Sequence, residues 1–260
     1  RRARLPAARG AAAVLLLQAL PAALAAPAGE ASAASAPPGD AALPPGSYVT
    51  PEAVAQFREA TDARGRGEDD PAPDKLQDQW TISKALRRDL EEQLAGFAEN
   101  FTVLEVGAYF GYTTRLLSRL FARVIALDAV PQLLQANREY NMDRGNVLYL
   151  RFHTLEDDWG IFATNSIHVV FLDASHDYDT VRLDIQRCLE LPTVSLIIFD
   201  DYGAELGVRL AVHDFVASGR LQPVAFLGEG AAGPWRLRDG RSVEQREAVA
   251  CEVVRPQPGA

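Results

Sequence analysis

The chain has 260 residues, enough for one α/β domain with a sizeable core plus extra segments, and the 48% hydrophobic fraction is inflated by alanine in the first fifty. A net charge of -9 and a pI near 5.0 argue against nucleic acid as the main partner, because phosphate binding normally shows as a basic face. Only Cys188 and Cys251 are present, which excludes a disulfide framework of the small secreted kind and reads as two single buried thiols.

Residues 1–26 have the layout of a signal peptide: Arg1, Arg2, Arg4 and Arg9 precede the apolar run Ala11–Leu20, and Ala23-Leu24-Ala25 resembles a cleavage site. Gln18 and Pro21 break the run, which is too short for a membrane span. The absence of acids before Glu30 also suits an organellar transit peptide. Either reading points to an organelle or the secretory pathway rather than free cytosol, with membrane contact only through this segment if it is retained. Residues 27–76 read as an Ala/Pro-rich linker carrying one short helix. Thr50-Pro51-Glu52 supplies an N-cap, a first-turn proline and an early acid for that helix, which runs to about Ala63.

Residues 77–255 carry the domain. Ile82, Leu86, Leu90, Leu94 and Phe97 form the apolar stripe of a helix covering a sheet edge. Trp80 just before it is either a lid residue or core packing. Alternation follows: a strand over 102–106, a helix from Thr113, strands at 123–128, 146–152, 166–173 and 194–200, and helices at 131–142, 178–191 and 205–218. Strands with almost no polar residue, separated by helices, mean a parallel sheet covered on both faces. Residues 221–227 and 234–237 read as two short strands forming an antiparallel edge pair, whereas the apolar run 248–254 has no evident place. His168 lies inside a strand, where a satisfied core or edge histidine is expected rather than a ligand.

The first strand ends in Leu104-Glu105-Val106-Gly107-Ala108-Tyr109-Phe110-Gly111-Tyr112, and the helix after it points its N-terminal amides into the same space. Gly107 and Gly111 suit a turn whose backbone passes close to a ligand, or one whose glycines serve packing alone. The spacing E-x-G-x-x-x-G differs from the dinucleotide G-x-G-x-x-G, and Glu105 would repel a pyrophosphate but suit a cationic ammonium or sulfonium ligand. Asp128, which is 128 − 107 = 21 positions after Gly107, closes the second strand, where a carboxylate can accept both hydroxyls of a ribose.

This stretch resembles the first motif of the class I S-adenosylmethionine-dependent methyltransferases, and its wording is similar to that of the catechol O-methyltransferase branch of family 24-like enzymes. The resemblance covers about Gln77 to Arg238. It implies a Rossmann-like α/β fold with a seven-stranded, mostly parallel sheet, an antiparallel last strand and helices on both faces. It places cofactor contacts at Glu105, Gly107, Ala108, Tyr109, Gly111 and Thr113, at Asp128 and Ala129, at Thr154 and Glu156 after the third strand, and at Asp173. Arg151-Phe152 replaces the small residues usual before the adenine contacts.

Two further stretches, Phe171-Leu172-Asp173-Ala174-Ser175-His176 and Phe199-Asp200-Asp201-Tyr202, bring three carboxylates to adjacent strand ends, an oxygen-rich set suited to Mg²⁺. They resemble the metal site of the metal-dependent O-methyltransferases, with Asp173, Asp200 and Asp201 as ligands. Asp201 stands where the catechol enzymes carry Asn, which is closer to the macrolide-sugar branch. In that branch a His at the place of His176 is the general base; the alternative for His176 is a cap on the helix beginning near Tyr178. The reading is S-adenosylmethionine-dependent, metal-assisted O-methylation of a small-molecule hydroxyl on a catechol, sugar or other diol. Alternatives are an inactive binding protein on the same fold and a metal-independent methyltransferase.

Overall fold

Sequence alternation becomes a seven-stranded wound sheet in the computed structural model, which describes residues 51–65, 71–96, 98–230, 235–236, 242–243 and 246–255. The targeting reading of residues 1–26, most of the linker, and Phe97, Pro234 and Leu237 lie outside the described residues. No helix among the described residues is long and apolar enough to cross a membrane.

After helices α1 (Pro51–Gly65) and α2 (Lys84–Leu94) the chain runs β1 (Thr102–Val106), α3 (Tyr112–Leu120), β2 (Arg123–Asp128), α4 (Pro131–Tyr140), β3 (Val147–Arg151), β4 (Val169–Leu172), α5 (Tyr178–Glu190), β5 (Leu196–Phe199) and α6 (Leu206–Ala217). It closes with β6 (Leu221–Gly230), the short strands β7 (Trp235–Arg236) and β8 (Ser242–Val243), and β9 (Arg246–Val253). The sheet order is β3-β2-β1-β4-β5-β9-β6, parallel except for β9, which runs antiparallel to both of its neighbours.

Period-two alternation along each central strand feeds two separate cores. Leu104, Val106, Ile125, Leu127, Val170, Leu172, Ile197 and Phe199 face α5 and α6, where Val181, Ile185, Val208 and Val212 meet them. Val103, Val124, Ala126, Val169, Phe171 and Ile198 point the other way, onto Leu86, Leu90, Leu116 and Leu117. The predicted stripe is buried, with Leu86, Leu90 and Leu94 on α2 and Ile82 just ahead of its N-cap rather than on the helix, and α2 packs against β6 and α3. Ser83 caps α2, its hydroxyl accepting from Leu86 N at 3.0 Å. A smaller apolar group seats α1 on the loop after β1, with Phe57 stacked on Phe110 at a ring separation of 4.5 Å.

The expected edge pair is corrected. Residues 221–227 do form a strand, but its antiparallel partner is β9, whereas Trp235 pairs with Val243 in a separate two-stranded hairpin. The unplaced apolar run 248–254 is thus the strand inserted between β5 and β6. Its residues 248–251 are all buried, as a strand with two neighbours and two covered faces requires.

Candidate functional site

Each strand's register sets what stands at the carboxyl edge of the sheet, where an open α/β sheet binds its ligands. Val106 pairs with both Leu127 and Leu172, and Leu172 with Phe199. The next residues, Gly107, Asp128, Asp173 and Asp200, therefore emerge side by side. Gly107 has φ +91°, and a Cβ there would lie 1.9 Å from the Asp173 carbonyl oxygen. Gly111 has φ +90°, and its Cβ would lie 2.3 Å from Asn137 Oδ1. Both glycines are required by contacts within the protein: the loop is pressed against the end of β4 on one side and against α4 on the other.

Glu105 is fully buried and faces α3. Thr114 Oγ1 donates to its Oε2 at 2.6 Å, and Asn137 Nδ2 donates in turn to Thr114 Oγ1 at 2.8 Å and to the Ala108 carbonyl at 3.1 Å. Burial pushes the Glu105 carboxyl well above the usual range, and Asp173 and Asp128 add to that. Its other oxygen, Oε1, has no hydrogen-bond partner among the described residues.

Asp128 receives Tyr109 N on Oδ2 at 3.0 Å and Val130 N on Oδ1 at 2.8 Å, so its carboxylate ties the β1 loop, where Tyr109 holds φ 44°, to the start of α4. Ala108 is buried, Ala129 and Tyr109 are half-buried, and Thr113 is buried in the first turn of α3. Thr154 and Glu156 lie beyond β3 on the 153–158 loop. The Thr154 carbonyl accepts from Trp159 Nε1 at 3.0 Å, and Glu156 is exposed. Trp80 is half-buried on the segment before α2, its amide donating to Asp78 Oδ1 at 3.0 Å. His168 lies just before β4 rather than inside it and is satisfied within the protein: its Nδ1 accepts from Thr102 N at 3.2 Å and its ring packs on Phe101.

The acids of β4 and β5 converge with His176. Its Nε2 lies 3.1 Å from Asp201 Oδ2 and 3.8 Å from Asp173 Oδ1. Donor atoms of Asp173, His176 and Asp201 fall within 4.8 Å of one another. The helix cap at α5 is Asp177, whose carboxylate accepts from Asp179 N and Thr180 N, so His176 is not engaged as a cap. The Asp173 carboxylate, seconded by Asp201, raises the imidazole pKa against the opposing effect of burial. Burial raises the carboxyls of Asp173 and Asp200 in turn, each further raised by neighbouring acids. Asp200 Oδ1 is buried with no hydrogen-bond partner among the described residues. Asp201 sits at φ 55°, a conformation that Asp and Asn tolerate better than other side chains, which gives a backbone reason for either residue at this position.

Two residues of this cluster were invisible to sequence reasoning. Lys75 Nζ lies 2.8 Å from Asp201 Oδ1, 3.3 Å from Asp200 Oδ2 and 3.3 Å from Glu247 Oε1. Burial would lower the Lys75 pKa, but these three carboxylates outweigh it and hold the ammonium charged. Glu247, at the start of β9, also accepts from Ser83 N at 2.8 Å and from the Ser83 hydroxyl. Lys75 stands 125 residues before Asp200 and Glu247 lies 46 beyond Asp201, so no local spacing links them. The rarity of lysine in this chain, Lys75 and Lys84 alone, is the one trace that the sequence carries.

Residues 104–202 match the family described as a methyltransferase domain, family 24. No curated protein matches. Among solved structures, a precorrin-6y C5,15-methyltransferase from Geobacter metallireducens GS-15 is similar over 68% of this chain and 93% of its own, at 14% identity and a TM-score of 0.50. That likeness shows the fold. An rRNA methylase from Streptococcus thermophilus (67% and 99% covered, 15% identity, TM-score 0.44) and a candidate methyltransferase from Streptococcus mutans in complex with SAH (67% and 100%, 18%, 0.45) are similar more loosely.

Proposed function

We propose that the chain is a class I S-adenosylmethionine-dependent methyltransferase, a reading supported by the methyltransferase-domain match over residues 104–202, and that it methylates a hydroxyl of a small molecule, a catechol, sugar or other diol, with the help of a divalent cation. The observation that carries this reading is the convergence of Asp173, His176 and Asp201, donor atoms within 4.8 Å, directly against the glycine loop. Gly107 touches the Asp173 carbonyl, so a cofactor seated on the β1 loop would have its reactive end beside the acid cluster.

The donor set fits Mg²⁺ or Mn²⁺. Hard cations take carboxylate oxygens, here from Asp173, Asp200 and Asp201, and the buried, unpartnered Asp200 Oδ1 is an oxygen in want of a cation. Bound metal would supply Lewis acidity, lowering the pKa of an acceptor hydroxyl, and bound S-adenosylmethionine supplies the electrophilic methyl group. The chain's own residues do the rest. In this reading Asp128 would hold the ribose, and the N-terminal turn of α3, which opens after Gly111, would offer its amides to the cofactor. His176 Nε2 accepts the hydroxyl proton, and the charge formed on the ring is balanced by Asp173 and Asp201, 3.8 and 3.1 Å away. Holding acceptor oxygen and methyl carbon close and collinear is the larger part of the catalysis.

Calorimetric titration of the full chain with S-adenosylmethionine, in Mg²⁺ and again in EDTA, followed by a methyl-transfer screen over diols, tests this reading. Binding with metal-dependent turnover supports it. Turnover that survives EDTA and the double substitution Asp200→Ala, Asp201→Ala would sink the metal-assisted mechanism. The partner is expected to be a small-molecule acceptor rather than a nucleic acid.

A further inference from the structure

The acid cluster already holds a cation of its own. Asp173, Asp200, Asp201 and Glu247 bring four carboxylates together, and the Lys75 ammonium touches three of them. Two of those three, Asp200 and Asp201, are the residues read above as metal ligands. Resting on that reading, we propose that Lys75 is the competitor of the divalent cation: ammonium and metal claim the same carboxylates, so metal enters only as Lys75 withdraws.

The surroundings of Lys75 allow this. Its side chain retains 23% exposure, so a path to solvent exists. It stands in a tight turn in which Gln77 N and Asp78 N both donate to the Asp74 carbonyl, at 2.7 and 3.0 Å. The chain on either side is pinned independently of the ammonium. Arg87 donates to the carbonyls of Ala72 (3.1 Å), Pro73 and Ile82 (3.0 Å), and Ser83 is tied to Glu247. Lys75 can therefore swing out on its flexible stem while these anchors hold.

Mutual exclusion of two cations at shared oxygens makes reciprocal predictions. Replacing Lys75 by Met in the full chain removes the competitor, and the dissociation constant for Mn²⁺, followed by calorimetry or by the spectrum of the free ion, is expected to fall at least tenfold. Lys75→Gln serves as the second variant should Met perturb folding, with circular dichroism verifying both. Conversely, Mn²⁺ should expose the amine. Lys75 and Lys84 are the chain's only lysines, so amine acylation followed by mass spectrometry reads each separately. Saturating metal is expected to accelerate labelling of Lys75 several-fold and leave Lys84 as internal reference.

Equal Mn²⁺ affinity in wild type and both variants, with Lys75 labelling indifferent to metal, overturns the proposal and leaves the metal-assisted reading standing. Failure of wild type and variants alike to bind Mn²⁺ at millimolar concentration overturns the metal reading itself and the proposal with it. S-adenosylmethionine binding, measured separately, then decides the methyltransferase reading on its own.

Discussion

Asp184 is an ionisable residue that the proposed chemistry does not use, and it shows what a single buried carboxyl does to stability. It is 1% exposed on α5 and faces the core; burial pushes its pKa up to about 7, with Thr154 and Arg187 opposing. Its raised folded-state pKa means that the folded protein keeps this proton while the unfolded chain, titrating near 3.8, loses it. The residue's favourable contribution is complete below pH 3.8 and is lost as pH rises to about 7, beyond which no further loss accrues. Asp184→Asn, neutral at every pH and of the same shape, should therefore gain on the wild type by about 2–4 kcal/mol between pH 4 and pH 7 and hold that gain above it. Denaturant unfolding at a series of pH values measures the difference, and a pH-independent gap would show that Asp184 is already charged in the folded state. The acids at strand ends were legible because each terminates an apolar run, and register alone then aligns Gly107, Asp128, Asp173 and Asp200. Glu105 is the contrary lesson. Its place in the motif was plain, but its burial under α3 and its bond to Thr114 depend on which face of β1 it occupies, and the motif does not state that face.

Among the elements, the segment before α2 does more than its sequence suggests. Residues 71–83 contain no regular helix or strand, so their placement rests on a few specific bonds, chiefly those of Arg87. That side chain is 4% exposed and donates to the carbonyls of Ala72, Pro73 and Ile82. Truncating it leaves several buried acceptors unpaired, at about 1–3 kcal/mol each for the worst placed. Arg87→Ala is accordingly expected to loosen this segment while sparing the sheet. Hydrogen exchange should quicken at the amides of Gln77, Asp78 and Thr81, which are bonded within the segment, and remain slow at those of β1, β4 and β5. Uniform acceleration everywhere would mean instead that Arg87 supports the global fold. No periodicity announces a device of this kind, because carbonyl acceptors carry no side-chain signature. Helices α2 to α6 were legible for the opposite reason: each presents an apolar stripe to a sheet face, and stripes repeat at a spacing that can be read.

At the scale of the whole molecule the decisive element is the one whose sequence was hardest to place. Strands β1 to β5 are apolar runs between helices, and the crossover rule for parallel strands lays them out almost without choice. The end of the sheet is different, since the chain passes from β5 through α6 to β6 at the far edge and only then returns, as β9, to fill the gap between them. An alternating run near the end of a chain does not say which of two neighbours it will join, and β9 joins both. Leu196 to Phe199 pair with Glu252 to Val249 on one side, and Leu221 to Leu227 with Val253 to Ala248 on the other. Without β9, β6 keeps no strand partner among the described residues, β5 becomes an open hydrophobic edge, and Glu247 is lost from beside Lys75 and Ser83. A chain ending at Gly230 is thus expected to lose its cooperative thermal transition and to aggregate, a far larger effect than deletion of a peripheral strand would give. Adding a synthetic peptide spanning residues 242–260 during refolding should restore part of the transition, since the gap between β5 and β6 is a template with bonding groups on both sides. If the truncated chain melts cooperatively near the full-length temperature, then β5 and β6 must close on each other directly, and β9 is dispensable to the core.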